Sequence, residues 1–233
     1  MTGALPAQDR AIEFESYTLD NGLDVILHED KSTPIVALAV MYHVGSKNED
    51  PERTGFAHFF EHLLFEGSEN IERGEFDKYI QDAGGTLNAY TSSDVTCYFE
   101  VLPSNQLELG LWLESERMLH AKVDDKGIET QREVVKEEMR QLYESRPYGS
   151  FQLEVRKRAY GQHPYQWSPI GSMEHLNAAT EKDYVEFYGN FYVPNNAVLV
   201  VAGDFEAEQA KEWIGQYFST IPDKAGSFYR PEI

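Results

Sequence analysis

Residues 55–67, GFAHFFEHLLFEG, set two histidines and two glutamates into an otherwise apolar, helix-length segment. No other feature constrains the fold as much. Phe56, Phe59, Phe60, Leu63, Leu64 and Phe65 leave the helix no wide polar face, so it must be buried nearly all round. Titratable groups inside such a helix are costly unless each has a partner. Residues four apart lie one above the other, so His58 and His62 can offer two imidazoles to one metal ion, with Glu61 beside them. The competing explanation is a pair of hydrogen-bonded histidines with a purely structural role.

The rest of the chain reads as strands and helices in irregular order. Segments 14–18 and 23–28 flank Asp20-Asn21-Gly22 as a β-hairpin, and 35–44 (IVALAVMYHV), apolar on both faces, suits a central strand. A helix over 74–83 stops at Gly84-Gly85, and 86–91 with 95–102 make a second hairpin. Ser104 caps a helix carrying Leu107, Leu111, Leu113 and Met118. Segments 126–144 and 150–160 are helical, and 161–178 is a long irregular connection. Thr180 and Asp183 form a capping box for a helix with Tyr184, Phe187, Tyr188 and Phe191 on one stripe. Segment 197–202 (AVLVVA) is a buried strand and 206–218 a last helix. The expected class is therefore α+β, a two-layer sandwich of a mostly antiparallel or mixed sheet packed on helices. Residues 1–13 read as a flexible leader, 14–222 as the folded domain and 223–233 as the start of a linker.

A net charge of −20, from 20 Lys+Arg against 40 Asp+Glu, opposes binding to nucleic acid and to anionic membranes. No apolar run reaches membrane-spanning length. The lone Cys97 rules out an intrachain disulfide or a cysteine metal cluster, and reads as a small core residue. His28, His43, His120, His163 and His175 have no helical partner at ligand spacing and read as structural or surface residues. The start MTGALPAQDR has neither the basic nor the apolar stretch of a signal peptide. The compartment stays open between bacterial periplasm and cytoplasm, with the periplasm preferred if a leader was removed.

A third metal ligand should come from another element, and the 126–144 helix is rich in carboxylates. Glu138 shares a face with Gln131, Val134, Val135 and Leu142, whereas Glu137 sits with Thr130, Glu133, Gln141 and Glu144 on a polar stripe. A carboxylate on the apolar face needs a cation, which selects Glu138; an arginine partner in place of a metal is the alternative.

With these residues in view, the chain resembles the pitrilysin/insulinase family of zinc peptidases, the inverzincins, which includes the mitochondrial processing peptidases. GFAHFFEHLLFEGS resembles the family's zinc helix, REVVKEEM the segment with its downstream glutamate ligand, and GGTLNAYTSSDVTCYF its substrate strand. The likeness continues through HPYQWSPIG and YVPNNAVLVVAGD. It implies a processing-peptidase-like fold, one Zn²⁺ per chain on His58, His62 and Glu138, and Glu61 as the base that activates water. It also implies that Asn88-Ala89-Tyr90-Thr91 pairs with the main chain of a peptide or unfolded polypeptide. Where the family commonly carries a second glutamate, this chain has Gln131, read as a supporting residue behind the metal ligands. The resemblance implies a partner too, a second homologous domain in cis or on another chain, and a dimer is possible. Its alternative is a non-catalytic subunit of the same family.

Overall fold

The computed structural model describes residues 12–231, so most of the leader lies outside the described residues. Six strands form one mixed sheet: β1 (Glu15–Thr18), β2 (Asp24–Glu29), β3 (Ile35–Tyr42), β4 (Thr86–Thr91), β5 (Thr96–Pro103) and β6 (Ala197–Gly203). Their order is β1-β2-β6-β3-β5-β4. Both expected hairpins are present, β1 against β2 and β4 against β5. In the first, Gly22 adopts φ 84°, and a Cβ there would lie 2.6 Å from the Asn195 side chain, so the turn requires glycine. β6 enters between β2 and β3, parallel to the first and antiparallel to the second.

The helices are α1 (Phe56–Leu63), α2 (Phe76–Asp82), α3 (Leu107–Leu119), α4 (Asp125–Tyr143), α5 (Phe151–Tyr160), α6 (Met173–Ala178), α7 (Glu181–Phe191) and α8 (Ala207–Phe218). Val36, Leu38, Val40 and Tyr42 of β3 turn to the helical layer with Leu199 and Val201 of β6, and all are buried. The two-layer α+β expectation holds. β3 is central in the sheet, but among the described residues only one of its faces is covered: Ile35 and Met41 are exposed, together with Val101 and Tyr90 on neighbouring strands. Among the described residues no helix is long and apolar enough to cross a membrane.

Three local expectations need correction. Ser104 does not cap α3; Ser104–Gln106 is a single 3₁₀ turn whose Ser104 carbonyl accepts the Leu107 amide, and it runs straight into the helix. The 161–178 connection holds α6, which is too short for periodicity to reveal and is capped by Ser172 through the His175 amide. Val134 lies on the exposed side of α4, so the helix's apolar face is narrower than its spacing suggests. The Thr180–Asp183 box is present as expected, with Thr180 Oγ1 donating to Asp183 at 2.7 Å. Residues 222–231 form no helix or strand, yet they are bonded to the body: Asn48 Nδ2 donates to Tyr229 O (2.9 Å) and Arg230 Nη1 to His43 O (3.0 Å).

One charge cluster sits in the core. Arg117 of α3 is fully buried among the rings of Phe65, Phe76 and Tyr98, with its guanidinium carbon 4.2–4.6 Å from each centroid. It pairs with Glu114 at 3.0 Å and faces Glu100 at 3.7 Å, and its Nη1 donates to Leu64 O at the end of α1 (3.1 Å). One guanidinium cannot neutralise two carboxylates. Burial, reinforced by Glu114, therefore pushes Glu100 well above its ordinary 4.5, and it keeps its proton. Arg117→Met should cost about 3–5 kcal/mol in urea unfolding, because the buried Glu114 carboxyl loses the guanidinium it pairs with. The sign for Glu100 follows from linkage. A group whose folded pKa is raised stabilises fully below its unfolded pKa, and that contribution is lost as pH rises towards the folded value. Wild-type stability should thus decline above pH 4.5, and Glu100→Gln should flatten this part of the curve. Identical slopes in the two proteins would contradict a protonated Glu100.

Candidate active site

α1 begins at Gly55, which adopts φ 101°; a Cβ there would stand 2.8 Å from Ile170 O. Its aromatic residues pack on α7: Phe56 and Phe59 stack with Tyr184 at 4.8 and 4.5 Å, and Phe60 with Phe187 and Tyr188 at 5.8 Å each. Tyr98 Oη donates to Phe60 O at 2.7 Å. With those faces fixed, the face left partly open is the one carrying His58, Glu61 and His62.

α4 lies against this open face. Asp124 caps it by accepting from Gly127 N at 2.8 Å, and buried Arg132 donates to Ala179 O at 3.2 Å. Glu138 then points at both histidines, its Oε2 3.5 Å from His58 Nε2 and 3.3 Å from His62 Nε2. The three ligand-type atoms all lie within 4.8 Å of one another. Two ligands about 2.0–2.1 Å from a tetrahedral zinc stand about 3.3 Å apart, so the set fits that ion. Glu138 Oε2 is buried and makes no hydrogen bond among the described residues, which suits an atom that would bind a metal. Burial lowers the His58 pKa to about 4, against the pull of Glu138, so its ring is neutral and keeps a lone pair to donate. The His62 ring, 3.3 Å away, holds the Glu138 carboxyl below its usual range, in the ionised form a metal needs.

Glu61 shares the open face without joining the three ligand-type atoms. Burial raises its carboxyl above the ordinary carboxylate range, while Thr91 and His62 hold it back. Thr91 closes β4, which is an edge of the sheet, so the outer main-chain groups of Asn88, Ala89, Tyr90 and Thr91 have no strand partner. The structure thus brings the expected peptide strand beside the expected base. Gln131 donates to Glu66 at 2.5 Å, and Glu66 also binds Arg73, which reaches Asp124 at 2.8 Å. A glutamate at 131 would confront the Glu66 carboxylate, whereas glutamine supplies a donor. A cleft of about 540 Å³ lined by Asn48, Asp50, Asn190 and Tyr229 among others contains none of these residues.

Sequence reasoning missed the groups that hold α1 from outside it: Arg117 and Tyr98, Glu49, which accepts from Gly55 N and Ala57 N, and Tyr192, whose Oη donates to Ala57 O at 3.4 Å. None sits at a helical spacing from the motif. The only signal was an arginine and three glutamates within the otherwise apolar 107–119 stretch.

Comparison with known proteins decides the family. The family model described as Insulinase (Peptidase family M16) matches residues 24–171. This chain belongs to peptidase family M16. The model described as Peptidase M16 inactive domain matches residues 178–233 of the same chain. Among M16 relatives, "Zinc protease PqqE" of Helicobacter pylori is 35% identical over 219 residues, covering 94% of this chain and 49% of the relative. A solved protease from Helicobacter pylori superposes with TM-score 0.92 at 34% identity, over 95% of this chain and 54% of that one. The periplasmic protease PqqL from Escherichia coli gives TM-score 0.84 at 26% identity, over 99% of this chain and 26% of that one. The chain thus spans about half the length of the zinc protease it matches. M16 membership implies zinc and a peptidase role in general. β6 shows that the two matched segments are one folded unit, since it is drawn from the second and pairs with strands of the first.

Proposed function

We propose that residues 14–222 form the catalytic half of a zinc metalloendopeptidase that cleaves peptides or unfolded polypeptides, with 223–233 leading out of it. The observation that carries this reading is the convergence of His58, His62 and Glu138, with Glu61 on the same open face. His58, His62 and Glu138 would hold one zinc ion per chain. When bound, zinc supplies a Lewis acid that makes water acidic and polarises the scissile carbonyl. Glu61 takes the proton of the attacking water and returns it to the leaving amine, a role suited to a carboxylate raised towards neutrality. The substrate main chain pairs with the free edge of β4 across Asn88–Thr91, which selects an extended backbone over a particular sequence. Gln131 steadies Glu66, just beyond the metal helix.

The alternative, a non-catalytic subunit, is not favoured, because the ligand set and the base are both intact. Relatives about twice as long support a second homologous domain, in cis or on another chain, that closes over the open metal face. The structural relative PqqL is described as periplasmic, which supports the periplasm over the cytoplasm. The test measures zinc content and hydrolysis of a quenched peptide by this chain, alone and with a second domain restored. Zinc near one equivalent, with slow turnover that rises about tenfold or more on completion, is expected. Equal rates would dismiss the second-domain requirement, and a zinc-free, inactive protein would dismiss the metallopeptidase.

A further inference from the structure

α1 is only eight residues long and begins on a glycine, so its N-cap position has no side chain to occupy the first amides. A helix this short has little stability of its own, and its position depends on what holds it. Six residues upstream, Glu49 reaches over that end. Its Oε2 accepts from Gly55 N and its Oε1 from Ala57 N, both at 2.9 Å. The carboxyl is 2% exposed, deeper than any of the three ligand-bearing side chains. The second amide it holds belongs to the residue immediately before His58. At the other end, Leu64 O receives the buried Arg117 guanidinium. A carboxyl therefore accepts from free amides at one end of the helix and a guanidinium donates to a free carbonyl at the other, pairing groups the helix itself leaves unbonded.

We propose that Glu49 is a positioning residue of the metal centre, spanning two amides of α1 and thereby fixing His58 relative to Glu138. The inference rests on the zinc reading above, since the geometry it protects is that of the ligand set. The separations to be preserved are 3.5 and 3.3 Å, and a shift of the first turn moves His58 directly. Burial raises the Glu49 carboxyl to about 8 against the pull of the two amides. In either protonation state each of its oxygens can accept a hydrogen bond. A glutamine of the same size cannot match this, because whichever way its amide turns, an NH₂ faces one of the two N–H donors. That amide is left buried and unsatisfied.

The experiment compares wild type, Glu49→Gln and a truncation remote from the site, Ile214→Val in α8, whose side chain is fully buried. Zinc affinity is read by competition with a chromophoric chelator. Amide exchange across 55–62 is read on the metal-free protein, alongside Tm. Glu49→Gln should weaken zinc by about tenfold or more and speed exchange at 55–58, while Ile214→Val lowers Tm and leaves both unchanged. Zinc affinity equal to wild type in Glu49→Gln overturns the proposal, as does a loss shared by both variants in proportion to Tm. If wild type itself takes up no zinc, the metallopeptidase reading fails on its own. The exchange data still decide whether Glu49 holds the helix, and unchanged rates at 55–58 reject it. Should Glu49→Gln not fold, Glu49→Asp is read the same way, since its carboxylate is one methylene short of spanning both amides.

Discussion

Glu61→Gln should lower peptide turnover by about 10²–10⁴-fold while leaving zinc bound as in wild type. The substitution preserves volume and removes only the ability to accept a proton. Glu61 lies on the ligand face of α1 but is not one of the three convergent ligand-type atoms, so metal uptake does not depend on it. Its burial and its neighbour Thr91 place the lost charge where water must be deprotonated beside the β4 edge. Turnover of a quenched peptide, measured with metal analysis on the same sample in the presence of the second domain, gives both readings. A variant as active as wild type removes Glu61 from the reaction. A variant that loses zinc makes it a ligand.

Glu138→Ala should weaken zinc binding by more than about 100-fold, whereas Glu137→Ala should leave it unchanged. Loss of a supporting residue behind a metal ligand costs 10–100-fold in general, and loss of a ligand itself should exceed that. The two residues are adjacent in sequence and differ by 100° of helical phase. Glu138 faces both histidines at 3.3 and 3.5 Å, while Glu137 is exposed and pairs with Arg140 at 3.1 Å. Neither change should disturb folding, since Glu138 is itself 36% exposed at its side chain. Chelator competition on both variants checks the assignment. The reverse ranking would shift the ligand by one residue.

The parts of this site that helical phase governs were legible in the sequence. His58 and His62 fall on one face because they are four apart, and Glu138 could be separated from Glu137 by its neighbours Val135 and Leu142. The same argument misplaced Val134, because the apolar stripe of α4 is bounded by what packs on it, and among the described residues Val134 is left exposed. Hairpins were legible from Gly22 and from the Ser92-Ser93-Asp94 turn, where short-range chemistry sets the register. The place of β6 between β2 and β3 was not, since pairing across more than a hundred residues leaves no local pattern. Nor were the supports of α1. Arg117 acts on a carbonyl 53 residues away and Glu49 on amides beyond an irregular loop, and a buried charge reads like a surface one until its partners are known.

The late arrival of β6 bears on how the protein is made. β2 and β3 emerge early from the ribosome, but the strand that joins them, Ala197–Gly203, follows some 150 residues later. At about 5–20 residues per second, the nascent chain waits on the order of ten seconds with two apolar strand edges unpaired. Pairings so distant close slowly and leave intermediates open to association with other chains. The seam between the two matched segments, near 171–178, falls inside this interval. A fragment ending there would lack the strand that joins its sheet. The seam in the sequence is therefore no boundary for the ribosome, the chaperone or the protease that meets the chain half-made.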